Sequence, residues 1–150
     1  MNILGVIPAR GGSKEIKNKN LKKICNKSLL QITTETANKS KYISKLILSS
    51  DSDKIINHVK KFNLEVPFKR SKKLATNHSK TFDVIRDALI KSEKFYNTEF
   101  DIIVILQPTT PFRTYKNIDQ CIIKLIKNKY DACITVKKPD YPPHWSLKIN

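Results

Sequence analysis

The sequence predicts an α/β fold: a mostly parallel sheet with helices packed on both faces. Three observations carry that expectation. Four apolar runs, at residues 3–7, 45–49, 102–106 and 132–136, are nearly continuous rather than alternating, the pattern of strands covered on both sides. Between them, apolar residues recur at helical spacing. The two patterns interleave along the chain, which favours parallel strands joined by helical crossovers. At 150 residues the chain is expected to form one domain, spanning 1–150, with a core large enough to need no staples.

Each element has its own local signal. Ile3 to Ile7 is the first strand. Leu29, Leu30, Thr33 and Ala37 share one face of the first helix. Lys45 to Ser49 is the second strand, and Ser50-Asp51-Ser52 then offers an N-cap for a helix carrying Ile55, Val59 and Phe62. Leu64 to Pro67 is a short additional strand candidate. Thr81 is a candidate cap for a helix with Val84, Ile85, Ala88 and Leu89 inward. Ile102 to Leu106 is the next strand, and Arg113-Thr114 opens a helix with Ile118, Ile122, Leu125 and Ile126. Ala132 to Val136 is read as the last strand. From Lys137 the composition changes to a proline-rich stretch with the single tryptophan, a loop leaving the sheet.

Composition narrows the function classes. No stretch approaches the roughly 18–20 apolar residues of a membrane helix, and the short apolar start lacks the basic residues and cleavage site of a signal peptide. Cys25, Cys121 and Cys133 fit no zinc spacing and read as reduced thiols. These features point to a cytoplasmic protein. The net charge of +16 raises a nucleic-acid module as an alternative. The excess is mostly lysine spread over every segment, as solvated faces and coding bias produce, with only four arginines. Aromatic residues interleaved with arginine are not evident.

Four motifs could carry chemistry. Arg10-Gly11-Gly12-Ser13-Lys14 follows the first strand. Glycines let backbone amides approach an anion, Ser13 adds a hydroxyl, and Arg10 and Lys14 add charge-assisted donors. Lys19 and Asn20 close this loop. It reads as a triphosphate cradle without the Walker A spacing; the alternative is a turn with solvated charge. Asp51 and Asp53, after the second strand, suit a metal or a helix cap, and capping is favoured. Arg70 to Ile85 supplies an arginine and a polar loop containing Ser79 and Thr81. Leu106 to Arg113 (LQPTTPFR) is a proline-stiffened loop in which Gln107, two threonines and Arg113 suit a small-molecule site. The alternative is a plain connection capped by Thr114.

Taken in order, IPARGGSK…KN, SSDS, R…LA…T.DVI, LQPTTPFR and P.HWSLKI resemble the acylneuraminate cytidylyltransferase family, of the CMP-sialic acid synthetase type. The resemblance covers essentially all 150 residues. It implies a Rossmann-like nucleotidyltransferase sheet and transfer of CMP from CTP to the anomeric hydroxyl of a nonulosonic acid, with release of pyrophosphate. It further implies that Arg10, Gly11, Gly12, Ser13 and Lys14 hold the triphosphate, with Arg10 and Lys14 as the catalytic cations. Lys19 and Asn20 lie near phosphates and nucleotide, Arg70 reads the cytosine edge, and Ser79 and Thr81 lie near base and ribose. Gln107 faces the sugar acid, and Arg113 supports the loop or touches the sugar. The family uses Mg²⁺, held by paired aspartates beyond position 150, and usually forms a homodimer through a further segment there. The expected chain is therefore a nucleotide-binding portion lacking the usual C-terminal part, weak in turnover, or else a catalytically dead partner subunit. Glu15, Lys17 and Asn77 depart from the family pattern at loop positions.

Overall fold

The computed structural model of the chain describes residues 1–12 and 16–138. Strand β1 (Ile3–Pro8) is central in a three-stranded parallel sheet, between β4 (Lys45–Ser49) and β5 (Ile102–Ile105). In register, Val6 lies beside Ile47 and Ile105, so the three strands end together at one edge. The short segment after the second helix adds one parallel bridge, Glu65 to Ile47, with the Leu48 amide donating to the Glu65 carbonyl at 2.8 Å.

The two-residue period of the strands sorts the core into two layers. Ile3, Ile7 and Leu48 point to one face, covered by α1 (Leu29–Ala37), α2 (Asp53–Val59) and α4 (Tyr115–Asn128) through Leu30, Ala37, Ile55, Val59, Ile118 and Ile122. Leu4, Val6 and Ile47 point to the other, covered by α3 (Thr81–Tyr96) through Ile85 and Ala88. Gly5 sits closely packed at the centre of β1: a Cβ there would lie 2.7 Å from Leu46 Cδ1, so the leucine side chain would have to shift.

Among the described residues, three α-helices begin on side-chain caps and one does not. Ser28 Oγ accepts from the Gln31 amide to start α1, and Ser52 Oγ from the Ile55 amide to start α2. Thr114 and Asn117 form a reciprocal capping box on α4. Thr81 is not a cap: it is the first residue of α3, and Lys80 precedes the helix without a side-chain cap bond. A small hairpin, β2 (Lys23–Ile24) and β3 (Lys27–Ser28), was not expected; Cys25 and Asn26 turn it with φ of 48° and 66°. Asn18, Asn63 and Asn97 also take positive φ, tolerated because the short amide side chain can bond locally.

The expected strand at residues 132–136 does not form. Among the described residues this segment pairs with no strand, and Ile134 is 81% and Val136 85% exposed. Its sequence suits a strand, but among the described residues no strand pairs with it, and the outer edge of β5 is unpaired there, with Ile105 45% exposed. Cys133 of this segment lies near Cys121 on α4: burial first, then the Cys133 thiol, raises the Cys121 thiol above its ordinary value. No helix among the described residues is long and apolar enough to cross a membrane.

Candidate functional site

Parallel strands leave their carboxyl ends at one edge, and the loops there converge by construction. Three such loops line a cavity of about 380 Å³. From the end of β1 and the loop beyond come Pro8, Arg10, Lys19 and Asn20. From the segment after β4 and α2 come Arg70, Leu74, Thr76, Asn77 and Ser79, and the start of α3 adds Thr81 and Val84. From the end of β5 come Gln107, Pro108 and Thr109.

Seven of the residues read from sequence thus share one cavity: Arg10, Lys19, Asn20, Arg70, Ser79, Thr81 and Gln107. Gly11 and Gly12 lie on the loop beside it. Ser13 and Lys14 fall outside the described residues, as does the loop beyond 138. Arg113 does not line the cavity; its Nη2 donates to the Gln107 carbonyl at 3.1 Å, bracing the loop that presents Gln107.

Arg70 is the most constrained of the cations. It is 5% exposed, its Nε donates to Ser49 Oγ at 3.0 Å and its Nη2 to the Ser49 carbonyl. Its backbone amide donates to the Ser50 carbonyl at 2.8 Å. Burial lowers the guanidinium below its ordinary value; Asp51 and Asp87 push it back up, and Arg10 lowers it again. Two guanidinium groups therefore feel each other across a cavity whose described lining contains no carboxylate. Such a field attracts an anion. Arg10 Nη1 donates to the Thr76 carbonyl at 2.8 Å, holding the 71–80 loop over the site, and its fork has further donors to offer. Asn20, 8% exposed, donates from Nδ2 to the Arg10 carbonyl at 3.3 Å, so its role here is to fix the arginine's backbone.

The paired glycines differ. A Cβ on Gly11 would lie 2.8 Å from Ser52 Cβ, so glycine is needed for the β1 loop to pass the β4 loop. A Cβ on Gly12 would meet nothing within 4 Å. Asp51, expected as a cap, is not one: Ser52 caps α2, and Asp51 Oδ1 accepts the Gly11 amide at 3.0 Å. Asp53 is the first residue of α2 and pairs with Lys69 at 2.7 Å. Sequence reasoning missed the Asp51 contact and the cavity positions of Leu74, Thr76 and Asn77. The parallel register that sets Pro8 beside Ser49 was the available signal for Asp51, because it carries 51 toward 11.

No three acidic, histidine or cysteine side chains gather as a metal site among the described residues. The cavity lining there, cationic and amide-rich, fits a polyanion and does not by itself fit Mg²⁺.

A parallel α/β sheet with a cationic cleft at its carboxyl edge defines a nucleotide- or anion-binding class of protein. The profile of the cytidylyltransferase family matches residues 4–144, and the chain belongs to that family. It is 34% identical over 97% of its length to post-translational flagellin modification protein B of Campylobacter coli. It is 32% identical over its full length to a CMP-N,N'-diacetyllegionaminic acid synthase of Legionella pneumophila. The chain spans 62% and 64% of those two relatives. A solved CMP:2-keto-3-deoxy-manno-octonic acid synthetase, complexed with CTP, has the same fold at a TM-score of 0.72, covering 86% of this chain and 49% of that one at 19% identity.

Proposed function

We propose that the cavity binds CTP and that the protein transfers its CMP moiety to the anomeric hydroxyl of a nonulosonic acid. The observation that carries this reading is the convergence of Arg10, Lys19, Arg70 and Gln107 on one cavity at the carboxyl ends of parallel strands, in a chain of the cytidylyltransferase family. The legionaminic acid synthase among its relatives supports a nine-carbon 2-keto sugar acid as the acceptor class.

In the transfer, the anomeric oxygen bonds to the α-phosphorus and loses its proton. The bond from the α-phosphorus to the bridging oxygen breaks, and pyrophosphate leaves. Negative charge moves onto the departing oxygens, so the protein's contribution is positioning and cations. Arg10 and Lys19 would face the phosphate chain. Arg70, seated on Ser49, would present a rigid edge to the base. Gln107, on a loop braced by Arg113, would hydrogen-bond the sugar acid. Mg²⁺, when bound with the nucleotide, would add charge neutralisation at the phosphates.

Calorimetry with CTP, followed by a pyrophosphate-release assay with legionaminic, pseudaminic and sialic acids, tests the reading. Saturable CTP binding weakened by Arg70→Met is expected. Folded protein that ignores CTP, yet binds RNA tightly near physiological salt, would overturn it in favour of a nucleic-acid module.

A further inference from the structure

The corner after β4, residues 49–52, touches both loops that the proposed nucleotide site depends on. Ser49 and Ser50 seat Arg70: Ser49 accepts from the guanidinium through its hydroxyl and carbonyl, and the Ser50 carbonyl accepts the Arg70 amide. Asp51 and Ser52 seat the other loop. Asp51 Oδ1 accepts the Gly11 amide at 3.0 Å, and Ser52 Cβ occupies the space that a side chain at 11 would need. The corner is itself stiffened, because the Ser52 amide donates to Ser50 Oγ at 3.2 Å.

We propose that Asp51 is a positioning residue: its carboxylate, half-buried beside the glycine loop, fixes where the backbone of Gly11 and Gly12 runs against the phosphate chain of the nucleotide. This deepens the nucleotide reading above and rests on it. A carboxylate is a poor neighbour for a phosphate, since its charge repels the ligand. Its place there is accounted for by the bond it accepts, because a charged acceptor holds a backbone amide more strongly than a neutral one. Its field also offsets part of the burial of Arg70. Geometry and field therefore predict opposite signs. Were Asp51 acting on the phosphates only through its charge, removing it would tighten binding. As an anchor, removing it loosens the loop and weakens binding.

The test compares Asp51→Ala, Asp51→Ser and Asp51→Asn with the parent chain. Asn keeps an acceptor at the same reach without the charge; Ser is too short to span to Gly11 and provides a second truncation should the alanine variant fail to fold. The first readout needs no ligand: amide hydrogen exchange at Gly11. Exchange about tenfold faster in the Ala and Ser variants is expected, with β1 amides unchanged and Asn between them and the parent. The second is calorimetric affinity for CTP and for CMP. CTP is expected to weaken about tenfold in Ala and Ser while CMP changes less than about threefold, and Asn is expected to restore or slightly exceed parental CTP affinity. Unchanged Gly11 exchange in Ala and Ser would overturn the proposal, as would an equal loss for CTP and CMP, or tighter CTP binding in Ala. If the parent binds no CTP, the nucleotide reading fails, and Gly11 exchange alone decides whether Asp51 anchors the loop.

Discussion

Two apolar runs of five residues, Lys45–Ser49 and 132–136, meet opposite fates. In the first, Ile47 and Leu48 are fully buried; in the second, Ile134 and Val136 are more than four-fifths exposed. Intrinsic preference does not explain it, since 132–136 has three β-branched residues (Ile134, Thr135, Val136) and 45–49 only one (Ile47). The difference lies in what surrounds them. Lys45–Ser49 has β1 on one side, the Glu65 bridge on the other and helices on both faces. Residues 132–136 have no strand beside them among the described residues. A run of apolar residues states a capacity for pairing, and the partner decides whether it is used.

The sharpest way to break this contrast is to truncate one residue from each run. Leu48→Ala is expected to destabilise by about 3 kcal/mol, since it opens a cavity between the sheet and its helices. Val136→Ala is expected to stay within about 0.5 kcal/mol of the parent. Equal effects in urea unfolding would show that 132–136 is as deeply packed as β4.

The next effect belongs to the corner after β4. Arg70→Met leaves Ser49 Oγ without its buried donor and should cost about 2 kcal/mol in the same measurement. A pair of alanine substitutions then separates the glycines. Gly11→Ala forces Ser52 to shift at the start of α2 and should cost about 1–2 kcal/mol. Gly12→Ala has open space and no positive φ to strain, so its stability should match the parent within about 0.5 kcal/mol.

The smallest effect is a pH dependence. His58 Nε2 lies 2.9 Å from Ser28 Oγ, whose oxygen also accepts the Gln31 amide. Burial, then Lys61 and Lys23, holds His58 below its ordinary value of 6.5. The unfolded chain therefore takes up a proton before the folded one does. His58 contributes stability in full above pH 6.5 and loses it as the pH falls below that value. Urea unfolding at successive pH values should show this decline in the parent and a shallower one in His58→Gln.

Much of the fold was legible because burial on both faces writes itself into sequence: β1, β4, β5 and the helices α1 to α4 follow from apolar periodicity. The β2–β3 hairpin was not, because two-residue strands carry no period and its turn uses Cys25 where glycine or asparagine is the usual signal. In the site, cations and amides such as Arg10, Arg70 and Gln107 announce themselves by type and by position after strands. Asp51 does not: its partner is a backbone amide 40 residues away in sequence, and only the parallel register of β1 and β4 brings the two together.

The central claim is that the loops after β1, β4 and β5 form one CTP site, and titrating CTP into isotope-labelled protein while following backbone amide shifts tests it most directly. The account predicts saturable shifts concentrated at Arg10 to Gly12, Lys19, Asn20, Arg70, Thr76 to Thr81 and Gln107, with residues 132–138 and the amino-terminal ends of the strands unmoved. Shifts absent at saturating CTP, or concentrated at the opposite edge around Asn38, Ser44 and Asn63, would contradict it.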